Sequence, residues 1–155
     1  MVEIRRLQPS DFDSLVELFH EMDAHWQDDV SPAERIERSK NWRDNYKDMI
    51  TMVGIDRKSV VAFATLVPMF PGRACGIAWF LKELFVSAEY RDRSLGRTMM
   101  QECAKTVLET GGSRLDLTVD ASNPKALRFY ERLGAVDTHK TTLRWMDDNL
   151  EALAS

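Results

Sequence analysis

The residues best suited to chemistry lie in one stretch, Glu83-Leu84-Phe85-Val86-Ser87-Ala88-Glu89-Tyr90-Arg91-Asp92-Arg93-Ser94-Leu95-Gly96-Arg97. An apolar strand ends, a short polar and basic loop follows, and a helix begins around Gly96. A loop that feeds a helix N-terminus presents several unpaired backbone N–H groups in one direction, and the helix dipole adds partial positive charge there. Such a place suits a phosphate or pyrophosphate. Arg91, Arg93 and Arg97 add formal charge around it, and Gly96 has no side chain to hold a phosphate off the backbone. The stretch lacks the lysine–serine pair of a Walker loop and the three glycines of a dinucleotide fingerprint. Taken alone, it is equally compatible with an ordinary strand-to-helix turn bearing a solvated basic face.

About thirty residues downstream stands Asn123-Pro124-Lys125-Ala126-Leu127-Arg128-Phe129-Tyr130-Glu131-Arg132-Leu133-Gly134-Ala135. The two stretches together resemble the GNAT superfamily of acyl-CoA N-acetyltransferases. That family has a pyrophosphate loop of the form Arg/Gln-x-x-Gly-x-Gly/Ala and a later helix reading Asn-x-x-Ala-x-x-Phe-Tyr-x-x-x-Gly. Arg91, Gly96, Asn123, Ala126, Phe129, Tyr130 and Gly134 fall in place, and the match runs from Leu84 to Ala135. One position departs: Ser94 stands where the first loop glycine is expected, and serine adopts positive φ less readily than glycine.

The resemblance implies acetyl-CoA as cosubstrate and direct transfer of its acetyl group to a primary amine of a small molecule or peptide. It assigns Leu84, Phe85 and Val86 to pantetheine contact. Arg91, Asp92, Arg93, Ser94, Leu95, Gly96 and Arg97 become the pyrophosphate loop. Asn123 holds the pantetheine or the loop, and Phe129 packs near the thioester. Tyr130 is the expected general acid, since a phenol with pKa near about 10 can protonate a thiolate whose free pKa is about 8.5. Glu83 is the candidate base or amine ligand, against a structural or solvated role, and a water chain could also serve as base. Many relatives carry an acidic pair at the positions of Lys82 and Glu83, and strand alternation would send these two to opposite faces. The two N-terminal helices of the family shape the acceptor pocket. Met22, Trp26 and Trp42 are read first as core, and an acidic rim of Asp23, Asp28 or Asp29 would suit a cationic amine such as a polyamine, an aminoglycoside or a lysine side chain. His20, His25 and His139 fit no motif and are expected to face solvent or to be satisfied in the core. A module of the same fold that senses acyl-CoA without transferring it is the alternative. Ser94 keeps that reading open, and the intact Tyr130 argues against it.

These groups need a scaffold. Val2 to Leu7 suits a first strand. Ser10 reads as an N-cap with Asp13 at the third helical position, and Phe12, Leu15, Val16 and Phe19 follow at one-face spacing. Ser31-Pro32-Ala33-Glu34 is a capping box with proline at the first helical position, opening a helix to about Tyr46. Ile50 to Ile55, Val60 to Val67 and Gly76 to Val86 read as an antiparallel meander. Helix Arg97 to Thr110, strand Arg114 to Val119, helix Asn123 to Leu133 and a last strand Lys140 to Met146 follow, with Asp147 onward a short helix or frayed end. Strand–helix–strand requires a crossover and hence a parallel pair. The expected fold is α/β (α+β): a mixed, mostly antiparallel sheet of six to seven strands, flanked by about four helices and splayed at its parallel pair.

Composition sets the outer bounds. At 155 residues and 44% hydrophobic the chain fits one domain, 1–155, with a real core. No apolar run is long enough to cross a bilayer, and Met1 to Leu7 lacks a signal-peptide layout. Cys75 and Cys103 have no metal-ligand spacing and suit reduced thiols in a cytoplasmic protein. A net charge of -4 argues against a nucleic-acid partner. Residues 1–60 hold 13 acidic and 9 basic side chains and so carry the whole excess. This is a solvated surface or one that attracts a cationic partner. A homodimer using Leu143 and Trp145 is compatible with the resemblance, and core burial would explain those two residues equally well.

Overall fold

In the computed structural model, which describes residues 1–27 and 29–155, the chain separates into two compact units, Met1–Thr118 and Val119–Ser155. The first holds a five-stranded sheet in the order β1 (Glu3–Arg6), β2 (Ile50–Asp56), β3 (Ser59–Met69), β4 (Ile77–Val86) and β5 (Gly112–Leu117). The first three pairings are antiparallel, and β4 and β5 run parallel. Helices α1 (Phe12–Trp26) and α2 (Pro32–Asn45) follow β1, and α3 (Leu95–Glu109) crosses from β4 to β5. The second unit holds α4 (Pro124–Arg132) and α5 (Asp148–Ala154).

The sheet is buried on both faces. On one, Phe12, Leu15 and Leu18 of α1 are buried, and Leu15 and Leu18 join Val53, Val60, Phe63 and Phe85 in one cluster. On the other, α3 buries Leu95, Met99, Cys103, Thr106 and Val107. Each fully buried side chain of this size contributes about 1.5–3 kcal/mol, so the two helices lock the sheet between them. Gly112 marks how tightly α3 and β5 close: a Cβ there would lie 2.6 Å from the Trp79 ring and 2.9 Å from Val107.

Helix starts follow the local chemistry with one correction. At α2, Ser31 Oγ accepts from the Glu34 N–H at 3.3 Å while the Glu34 carboxylate accepts from the Ser31 N–H at 2.9 Å, the expected capping box. At α1 the cap is not Ser10. A 3-10 turn at Pro9–Asp11 leads into the helix, and Asp11 accepts from the Gln8 N–H at 2.8 Å. Arg5 on β1 holds that carboxylate with two bonds of 2.6 and 2.9 Å, which ties the entry of the helix to the strand. The guanidinium lowers the Asp11 pKa from its ordinary range, chiefly by hydrogen bonding.

The sheet has five strands rather than six to seven. Lys140 to Met146 forms no strand, because the second unit contains no strand to pair with it. Leu143 and Trp145 are exposed, so core burial does not explain them. Trp26 is likewise exposed rather than core, whereas Met22 and Trp42 pack against the α1-side cluster. Among the described residues, no helix is long and apolar enough to cross a membrane.

Candidate active site

The cofactor stretch occupies the end of β4 and the start of α3. Strand β4 pairs with β3 through Val86 but with β5 only from Ile77 to Leu81. Strand β5 ends at Leu117, opposite Leu81, so among the described residues Leu84, Phe85 and Val86 pair with no strand on the β5 side. An extended amide-bearing chain can add to such an edge as a further strand would.

At the head of α3, the first helical bond runs from the Thr98 N–H to the Ser94 carbonyl at 3.0 Å. Among the described residues the Leu95, Gly96 and Arg97 N–H groups therefore have no backbone partner, and the Ser94 side chain caps none of them. No acidic residue sits in the first turn of α3, and Arg93 and Arg97 are exposed. Three open donors, a helix dipole and two cations make a cradle that fits a pyrophosphate. Ser94 has φ 63° and Asp92 φ 59°, so the serine does take the left-handed conformation for which glycine is suited.

The loop is braced by groups scattered through the sequence. The Arg91 Nε donates to the Val86 carbonyl at 2.9 Å, and its guanidinium lies 5.1 Å from the centre of the Phe85 ring. The same guanidinium approaches His25 Nδ1 at 3.4 Å, and the Ala88 N–H donates to the Glu21 carboxylate at 2.7 Å. The Tyr90 hydroxyl donates to Asp56 at 2.7 Å, which raises the Tyr90 pKa. Arg91 thus ties the loop to β4 and α1. His25 and Glu21 carry no motif signal, because their partners are 66 and 67 residues away in sequence.

Glu83 lies on the α1 side of the sheet. Its register partner Thr65 shares a face with Phe63, and Leu81 pairs with Leu66 while Lys82 has no partner in β3. Leu81 and Leu84 therefore point the same way, and both residues between them point the other way. This corrects the alternation expected from sequence: Lys82 and Glu83 share a side, and Lys82 Nζ reaches the Glu83 carboxylate at 3.2 Å.

Helices α1 and α2 enclose a cavity of about 350 Å³ lined by Phe19, Met22, Asp23, Arg35, Arg38 and Trp42 among others. Phe19 and Trp42 stack at 4.7 Å, and both contact the Phe63 ring. Asp23 is buried and held by Arg38 at 3.0 Å. Of the expected acidic rim, only Asp23 lines this cavity; Asp29 is exposed, and Asp28 lies outside the described residues.

In the second unit, the Asn123 side chain accepts from the Ala126 N–H at 3.0 Å and caps α4. Ala126, Phe129, Tyr130 and Leu133 are the less exposed residues of this helix, at one-face spacing. The Phe129 and Tyr130 rings meet edge-on at 5.0 Å, and Gly134 ends the helix at φ 94°.

The acetyltransferase (GNAT) family model matches residues 12–135. The L-ornithine N5-acetyltransferase of Arabidopsis thaliana is 25% identical over 104 residues, 67% of this chain and 42% of that protein. The thialysine N-epsilon-acetyltransferase of Bos taurus is 34% identical over 58 residues, 37% of this chain and 34% of that protein. The aligned stretches thus span less than half of either curated relative. A solved integron cassette protein from the mobile metagenome of V. cholerae is 27% identical, with a TM-score of 0.86, covering 99% of this chain and 97% of the other. With the family model spanning most of its length, the chain belongs to the GNAT acetyltransferase family.

Proposed function

We propose that this protein transfers the acetyl group of acetyl-CoA to a primary amine of a small molecule or peptide. The observation that carries this reading is the cradle at the head of α3, whose three unpartnered N–H groups adjoin the open edge of β4. The backbone of Leu84 to Val86 receives the pantetheine arm. The Leu95, Gly96 and Arg97 N–H groups hold the pyrophosphate, with Arg93 and Arg97 neutralising its charge. Asp92, Ser94 and Arg91 shape the loop, Arg91 by bracing it against β4 and α1. Asn123 and Phe129 take the pantetheine and thioester contacts that the family gives them.

The reaction requires a neutral amine. Glu83, directly or through water, accepts a proton from the acceptor ammonium. The amine nitrogen bonds to the thioester carbonyl carbon, the carbon–sulfur bond breaks, and Tyr130 protonates the departing sulfur. Excess proton from the amine returns to solvent, so the balance is amide, free thiol and one proton. The acceptors named for the two curated relatives, ornithine and thialysine, are amino acids with a side-chain amine, which supports a small amine-bearing acceptor here.

Two measurements test the reading together. Acetyl-CoA should raise the melting temperature, and thiol release should appear with members of an amine panel. Tyr130→Phe should lower kcat about 100-fold, within the range for loss of a general acid, with little change in acetyl-CoA affinity. A thermal shift without thiol release from any amine would favour an acyl-CoA sensor instead.

A further inference from the structure

The cavity between α1 and α2 does not have the charge expected of a polyamine site. Its charged lining is one carboxylate, Asp23, against two guanidiniums, Arg35 and Arg38. Asp23 is already paired with Arg38. Arg35 donates its Nε to the Val30 carbonyl at 3.2 Å, and its two terminal nitrogens have no partner among the described residues. A guanidinium with its fork open, beside an aromatic wall of Phe19 and Trp42, is a receptor for a carboxylate attached to an apolar stem.

A second feature lies on the same side of the sheet, and its residues do not line the cavity. Met49, which lines it, lies just before β2. On the α1 side of the sheet, Thr51 pairs with Thr65, and Thr65 pairs with Glu83. Both threonines are more than nine-tenths buried, and their hydroxyls have no hydrogen-bond partner among the described residues. Buried polar groups are normally satisfied, so an unpartnered pair in one row points to a polar guest or water. The row crosses the sheet from the strand beside the cavity to the proposed amine ligand.

We infer that the acceptor is a zwitterionic amino acid with a side-chain amine, its carboxylate held by Arg35 beside Arg38 and its stem on Phe19 and Trp42. Arg35 is then a specificity-determining residue, and simple diamines are poor acceptors. The inference rests on the transferase reading for its chemistry but not for its binding test.

The test compares amines that differ only in the carboxylate: lysine with cadaverine, and ornithine with putrescine. Wild-type protein should favour the amino acid in kcat/KM by about tenfold or more, the scale of one hydrogen bond to a charged group. Arg35→Gln should reduce that ratio about tenfold, mainly through KM, and Arg35→Lys should restore part of it. Calorimetric titration of the same four compounds into the CoA-bound protein should show the same preference and the same loss in Arg35→Gln. A wild type that favours the diamines, or a ratio unmoved by Arg35→Gln, overturns the inference while leaving transfer intact. Carboxylate-dependent binding without thiol release supports the inference and counts against the transferase reading. Absence of binding by all four overturns it.

Discussion

Helices α3 and α2 serve the two halves of the proposed reaction and are held in opposite ways. Helix α3 buries five side chains against the sheet, and its N-terminus forms the proposed phosphate cradle. Helix α2 has no buried residue. It is attached by Trp42 resting on Phe19 and Phe63 and by two ion pairs, Arg38–Asp23 and Arg43–Asp13. The cofactor end is therefore part of the core, and changes there alter stability as well as binding. The acceptor end is a surface attachment, whose side chains can vary with little consequence for the fold.

The largest expected effect tests this contrast directly. Met99→Ala on α3 removes a side chain with no exposed surface and should cost about 3 kcal/mol. At roughly 2–4 °C per kcal/mol that is a fall of about 10 °C in Tm. Ile36→Ala on α2 changes a residue that is 72% exposed and should stay within about 0.5 kcal/mol. Equal losses in thermal melts would remove the contrast.

Next in size is the brace at the entry to α1. Asp11→Asn weakens the doubly bonded pair with Arg5 and should cost about 2 kcal/mol at neutral pH. The folded-state pKa of Asp11 is lowered, so its contribution is complete above the unfolded value of about 4 and is lost as pH falls through the folded value. The Tm gap between wild type and Asp11→Asn should be constant near neutrality and close in acid. A gap that is independent of pH down to acid unfolding would mean that the charge is not the cause.

Smaller still is the strain at Ser94. A left-handed non-glycine residue costs about 1–2 kcal/mol, and replacement by glycine returns part of this to unfolded-chain entropy. Ser94→Gly should therefore stabilise the protein by about 1 kcal/mol or less, raising Tm by a few degrees. A lowered Tm would show that the serine hydroxyl makes a compensating bond. The smallest effect is chemical. Cys103 lies within the α3 core, and burial pushes its thiol up to about 12, while Cys75 is exposed. A thiol reagent should label Cys75 alone in the native protein and both cysteines after denaturation, as read by mass spectrometry.

Much of the scaffold was legible because its signals are local. The Ser31 capping box, the β2–β3 turn and the glycine after α3 each depend on a few neighbouring residues, and all three form where the sequence predicts. The misplacements arise where a distant group intervenes. Ser10 is a good cap by type, but it falls inside a 3-10 turn, Pro9–Asp11, whose last residue is held by Arg5. Lys82 and Glu83 should alternate, but the register shift opposite Thr65 and Leu66 turns them to the same side. Lys140 to Met146 has strand composition, yet its unit offers no strand edge.

By itself, the sequence determined the family and pointed to the proposed phosphate cradle, because a basic loop, a small residue and a helix start act through adjacent backbone N–H groups. Tertiary structure alone decided that Arg91 braces the loop, that His25 and Glu21 meet it, and that the α1–α2 cavity carries an unpaired guanidinium rather than an acidic rim. Those outcomes depend on which side chains neutralise one another across tens of residues, and sequence spacing carries no record of that pairing.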